Sequence, residues 1–126
     1  MKTLFFYLLA ILFVLLGSCN KNEFEEVNVG VFIPSAFSPN NDGNNEIFMP
    51  IVSNSTNTLK DYKMIIYSMN GTELFQSTYI SMGWNGKQDV NGQAYPNGTY
   101  IYNLWFKFYD GYETNRIGMF ELIKDK

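Results

Sequence analysis

Asn40-Asn41-Asp42-Gly43-Asn44-Asn45-Glu46 crowds two carboxylates and several amide oxygens into one short loop. A hard cation such as Ca²⁺ takes its ligands from donors of this kind. Asp42 and Glu46 are the charged ligand candidates, with side-chain oxygens of Asn40 and Asn44 in support, although the spacing is not that of an EF-hand. The same residues serve a plainer end. Asn, Asp and Gly tolerate left-handed backbone and bond their own amides through Asx-turns. The loop therefore reads first as a shaped turn, with Ca²⁺ as the cofactor it would accept. A second set is aromatic: Trp84, Tyr95, Trp105 and Tyr109 offer rings on which a sugar would stack. A small domain needs most of its large rings inside, because each buries about 150–250 Å². Trp84, just before the Asn85-Gly86 turn, reads first as a lid on the core.

Other chemistry is excluded by what the chain lacks. Its 126 residues include no histidine and one cysteine. That removes His-based nucleophilic catalysis, imidazole metal sites, intrachain disulfides and thiolate clusters. A net charge of -3 gives no footprint for nucleic acid. No G-x-S-x-G, Walker or Rossmann glycine pattern occurs, and none of the twelve acids lies in a recognisable catalytic pair. The expectation is a protein that is not an enzyme.

The lone thiol has a different setting. Met1-Lys2 is a short positive start, Leu4 to Leu16 is almost wholly apolar, and Leu16-Gly17-Ser18-Cys19 closes the run. This is the layout of a secretory signal peptide, too short for a comfortable membrane span of about 20 residues. The closing tetrad resembles a bacterial lipobox. Residues 1–18 are read as a lipoprotein signal peptide and Cys19 as the lipidated residue, so that acyl chains hold the protein to the membrane. Residues 19–26 then form a polar, acidic tether, which loosely resembles the segment that directs some Bacteroidota lipoproteins to the cell surface.

What must position all of these residues is a β domain over residues 27–126. Turn signals recur at short, even spacing, and the runs between them are rich in Val, Ile, Phe and Tyr, without a helical-length window of 3.6 periodicity. Strands are expected at Val27–Ile33, Glu46–Val52, Asp61–Met69, Thr72–Tyr79, Thr99–Tyr109 and Tyr112–Ile123. Asn70-Gly71 suggests a type I′ hairpin turn. Tyr100, Tyr102, Leu104, Phe106 and Phe108 alternate along one face of the longest strand and are the expected core, the opposite face being mixed. Gly118 marks a bulge or a close approach. Six to seven antiparallel strands with part-covered faces imply two packed sheets, an all-β, small immunoglobulin-like sandwich.

Five segments, in order, resemble the gliding motility-associated C-terminal domain, the type B sorting domain of the type IX secretion system in Bacteroidota. They are Ile33 to Phe48 with its P-x-A-F-S-P-N core, Tyr67 to Phe75, Trp84-Asn85-Gly86-Lys87, Gly92 to Tyr102 around Pro96-Asn97-Gly98-Thr99-Tyr100, and Gly118 to Lys124. Asn41 stands where that family has a second loop glycine; asparagine accepts the same left-handed backbone. The hairpin Ser68-Met69-Asn70-Gly71 lacks the family's arginine and tryptophan, and little chain precedes the domain to serve as a passenger. Taken with the lipobox and the absence of catalytic motifs, the resemblance leads to the expectation of a non-enzymatic lipoprotein of the cell envelope, at the periplasmic or the outer face of the outer membrane. It would act through contacts with an envelope or surface protein in gliding motility or type IX secretion. The competing reading is a glycan-binding or adhesion module using the aromatics. Cys19→Ser is expected to move the protein from the membrane to the soluble fraction on fractionation; full retention overturns lipidation as the anchor.

Overall fold

The computed structural model describes residues 30–53, 59–89 and 92–124. The leader, Cys19, the tether and the start of the first expected strand lie outside the described residues. Seven strands follow in chain order: β1 (Gly30–Phe32), β2 (Ala36–Phe37), β3 (Ile51–Ser53), β4 (Leu59–Tyr67), β5 (Glu73–Ser77), β6 (Gly98–Phe108) and β7 (Glu113–Leu122). β1 and β3 pair as a two-stranded sheet, and the rest form a five-stranded sheet in the order β2-β7-β6-β4-β5. This is the expected all-β architecture of two sheets.

β6 organises the larger sheet. It pairs antiparallel with β4 on one side and along its length with β7 on the other. Its alternation sorts as the sequence implies: Leu104, Phe106 and Phe108 are fully buried, Tyr100 nearly so and Tyr102 half-buried. β4 adds Tyr62, Met64 and Ile66 to the same face, and β7 adds Phe120 and Leu122. Phe37 on β2, and Phe48 and Trp84 between strands, pack into the same core. Phe48 stacks on Phe120 with centroids 3.7 Å apart, and Trp84 meets Phe120 and Tyr100 edge-on. Trp84 is held from both ends. Its backbone exchanges hydrogen bonds of 2.8 and 2.9 Å with Phe48, and its indole N–H donates to the Lys87 carbonyl at 3.2 Å. Tyr100 directs its hydroxyl to the carbonyl of Pro96, four residues upstream, at 2.7 Å. This tyrosine corner is common in immunoglobulin-like sandwiches.

Three local features differ from the sequence expectation. β2, only two residues long, lies parallel to β7, so the sheet is not wholly antiparallel. The strand expected over Glu46–Val52 is broken: Phe48 makes an isolated bridge to Trp84, and β3 begins only at Ile51. The Asn70-Gly71 turn is not type I′, because Gly71 alone of the pair has a positive φ. Gly71 N–H donates to Ser68 O and Ser68 N–H to Thr72 O, closing a three-residue loop with a left-handed glycine. The Asn70 side chain selects this form by accepting from Thr72 N–H and from the Ser68 and Thr72 hydroxyls. Tyr109-Asp110-Gly111 joins β6 to β7 by the same device, with Asp110 accepting from Tyr112 N–H at 2.9 Å.

Gly118 marks a close approach, with no register shift in the β6–β7 pairing. It stands opposite Tyr102, and a Cβ there would run into the Tyr102 ring. Gly118→Val is therefore expected to cost about 1–3 kcal/mol of unfolding free energy. Trp84→Ala should cost about 3–5 kcal/mol by opening the centre of the aromatic cluster. Urea denaturation followed by far-UV circular dichroism measures both, and an unchanged midpoint for either variant would contradict the packing described.

Candidate functional site

The loop from Ser38 to Glu46 is a network of its own short-range hydrogen bonds. Asn40 Oδ1 accepts from Asp42 N–H at 3.0 Å, Asp42 Oδ1 from Asn44 N–H at 2.7 Å, and Glu46 Oε1 from Gly43 N–H at 3.1 Å. Asn40 Nδ2 donates to Asp42 Oδ2, and Ser38 N–H to Asn45 O closes the base. Asn41 and Asn45 both adopt left-handed backbone, with φ of 65° and 51°, so Asn41 fills a glycine's role. The structure thus brings Asn40, Asp42 and Glu46 together as side-chain acceptors of backbone amides, one of them the amide of Asn44. The Asn44 N–H and the Asn40 amide hold the Asp42 carboxyl below its ordinary pKa. No group of three or more acidic, Cys or His side chains is gathered around one point among the described residues.

The four aromatic candidates do not form a platform. Trp84 is fully buried, so it is withdrawn as a stacking surface; it was needed to close the core. Tyr95 is half-buried against Trp84 and Tyr100. Trp105 and Tyr109 do reach the surface, Tyr109 the more fully. Between them along β6 stands Lys107, whose ammonium pairs with Glu113 at 2.5 Å. That pair holds the Glu113 carboxyl below its ordinary pKa and the Lys107 ammonium above its own.

What the fold does present is the outer face of the five-stranded sheet. Tyr67, Ile101 and Met119 lie in register across β4, β6 and β7, and beside them Ile65, Asn103 and Ile117 form a second row. Polar pairs close the band at either end: Lys107 with Glu113, and Thr99, whose hydroxyl donates to Glu121 at 2.6 Å. Ile117 and Met119 are 67% and 62% exposed. They also lie on a rim. β2 covers only Glu121 and Leu122, leaving Glu113–Phe120 with no strand on that side among the described residues. Glu121 N–H donates to Ser35 O at 2.9 Å and Ile123 N–H to Phe37 O at 3.1 Å, so odd-numbered residues of β7 point their backbone toward this edge. By alternation, Asn115, Ile117 and Met119 carry the unpaired N–H and C=O groups. An edge this long is normally blunted by Lys, Pro or a bulge; Arg116 is the only charge between Thr114 and Phe120. Sequence reasoning missed this surface. Its signal was the alternation Ile117-Gly118-Met119 against Phe120 and Leu122, which assigns the first pair to the outside once the second pair is core.

The family model described as CHU_C Type IX secretion signal domain matches residues 31–121. Among solved structures, CopC from Methylosinus trichosporium OB3b is similar at 8% identity, over 78% of this chain and 93% of that chain, with a TM-score of 0.48. No curated protein matches the chain.

The depressed Asp42 pKa has a sign. A carboxyl more acidic in the fold than in the unfolded chain stabilises fully above about pH 4, and that stability is lost as pH falls through the folded value. Asp42→Asn should melt below the wild type at pH 6, and the gap between the two midpoints should close as the pH is lowered below about 4. A gap constant from pH 6 to pH 2 would show that the Asp42 charge contributes nothing.

Proposed function

The chain belongs to the CHU_C type IX secretion signal domain family, and from that premise we propose that it is a lipoprotein held by acylated Cys19 at the outer membrane, docking an envelope protein on the β7 rim. The family fixes the coarser part: a non-enzymatic envelope protein linked to type IX secretion and gliding motility through protein contacts. The rim supplies the contact. One observation carries the reading, the unpaired stretch of β7 where Ile117 and Met119 stand exposed beside free backbone groups. Strand addition at such an edge draws affinity from main-chain hydrogen bonds and specificity from alternate side chains. Glycan binding through the four named aromatics would need adjoining rings; Trp84 is buried, Tyr95 half-buried, and Lys107 stands between Trp105 and Tyr109 in the chain.

The test is a photo-crosslinking residue placed at 117 or 119, and at 76 on β5 as the control, in cells with intact outer membranes. Protein adducts at 117 and 119, absent at 76 and removed by Met119→Lys when the crosslinker is at 117, are the expected result. Melting of that variant should match the wild type. Adducts confined to glycan, or equal yields at all three positions, overturn the proposal.

A further inference from the structure

The sheet has a second open stretch, on the side opposite β7. β5 pairs with β4 only between Met64 and Tyr67. The cause is Ser77, whose buried hydroxyl accepts from Tyr79 N–H at 3.1 Å and donates to Tyr79 O at 3.0 Å. Met82 N–H then bonds the same carbonyl. This turn carries the chain away from the sheet. Leu59–Lys63 is left without a strand on that side among the described residues, facing Thr78–Ser81 across a notch of about 580 Å³.

Three features of the notch point to an occupant. Tyr62, which lines it, is 5% exposed, and its hydroxyl has no hydrogen-bond partner among the described residues. Leaving such a group unsatisfied costs about 1–3 kcal/mol, and buried hydroxyls are normally paired. Burial raises the Tyr62 pKa, which keeps the hydroxyl a donor in search of an acceptor. Secondly, Lys60 and Lys63 line the notch, exposed and with no ion-pair partner among the described residues, against the one carboxylate of Asp61 in the same lining. Thirdly, the floor is a strand edge: past a bulge between Leu59 and Asp61 the chain rises about 3.3 Å per residue, with outward N–H and C=O groups on alternate residues, a repeat that another extended chain matches. A saccharide has no such repeat.

We infer that this notch receives an extended acidic peptide segment of a partner protein, added as a strand along Leu59–Lys63. One of its carbonyl or carboxylate oxygens accepts from the Tyr62 hydroxyl, and its acidic side chains sit between Lys60 and Lys63. The site is separate from the β7 rim and does not depend on it.

The probe is a terminally blocked nonapeptide of alternating Glu and Val, titrated into the full chain in detergent while tryptophan fluorescence is followed. Trp105 lines the notch, whereas Trp84 is buried and serves as a constant background. Saturable binding is expected. It should weaken at least tenfold when Lys replaces Glu, when alternate peptide nitrogens are methylated, or when the protein carries Lys60→Glu with Lys63→Glu. Tyr62→Phe should weaken binding several-fold with an unchanged or raised melting midpoint, because the lost hydroxyl had no partner. Ile117→Lys should leave binding as it was, which separates this site from the rim. The inference is overturned by absence of binding, by indifference to peptide charge or methylation, or by full affinity in Tyr62→Phe. Competition by an acidic oligosaccharide with no effect of methylation would likewise overturn it.

Discussion

A five-stranded sheet with one apolar face must bury that face, and here aromatic rings supply much of the cover. Phe37 on β2, and Phe48 and Trp84 between strands, pack as a cluster with Tyr100 and Phe120. Each of these rings is fixed by a local device. Trp84 is bonded to Phe48 through both backbone groups, and Phe37 is drawn to β7 by the short parallel pairing. The high aromatic content, 17% of the chain, is therefore a consequence of architecture. Large rings let few residues exclude much water.

The same constraint explains which parts were legible in the sequence. The alternation in β6 announced both the strand and its buried face, since a period of two over eleven residues has no competing interpretation. β2 left no such trace: two residues carry no period, and its pairing with β7 is long-range. The Asn70-Gly71 turn was visible but mistyped. The dipeptide preference for a type I′ turn yielded to Ser68 and Thr72, whose hydroxyls complete a different hydrogen-bond set around Asn70. In the loop from Asn40 to Glu46, the turn half of the reading is visible as backbone amides bonded to the Asn40, Asp42 and Glu46 side chains.

Surface function was the least legible. The outer face of β6 reads Ile101, Asn103, Trp105, Lys107, which alone is merely mixed. It becomes a band only when Tyr67 and Met119 are laid on either side by register, knowledge that resides in pairing and not in any one strand. The two open edges are likewise properties of where neighbours stop. β2 stops because it has two residues, and β5 stops because the Ser77 hydroxyl turns the chain. Among the described residues the sheet has an open stretch on each side, and the two are distinguished by their side chains. One is apolar at Ile117 and Met119, the other basic at Lys60 and Lys63.

β2 and β7 run in the same direction, and Asn97 exchanges two further bonds with the backbone of Lys124, 3.1 and 2.9 Å long. If the chain is drawn taut between its two ends, β2 is pulled one way and β7 the other along their common axis. Their hydrogen bonds then meet the force side by side and must rupture together, where a hairpin pulled open would lose them singly. A pairing of two residues is slight as a contribution to equilibrium stability. Placed in shear, it becomes a mechanical clasp that holds the two strands until all its bonds yield at once.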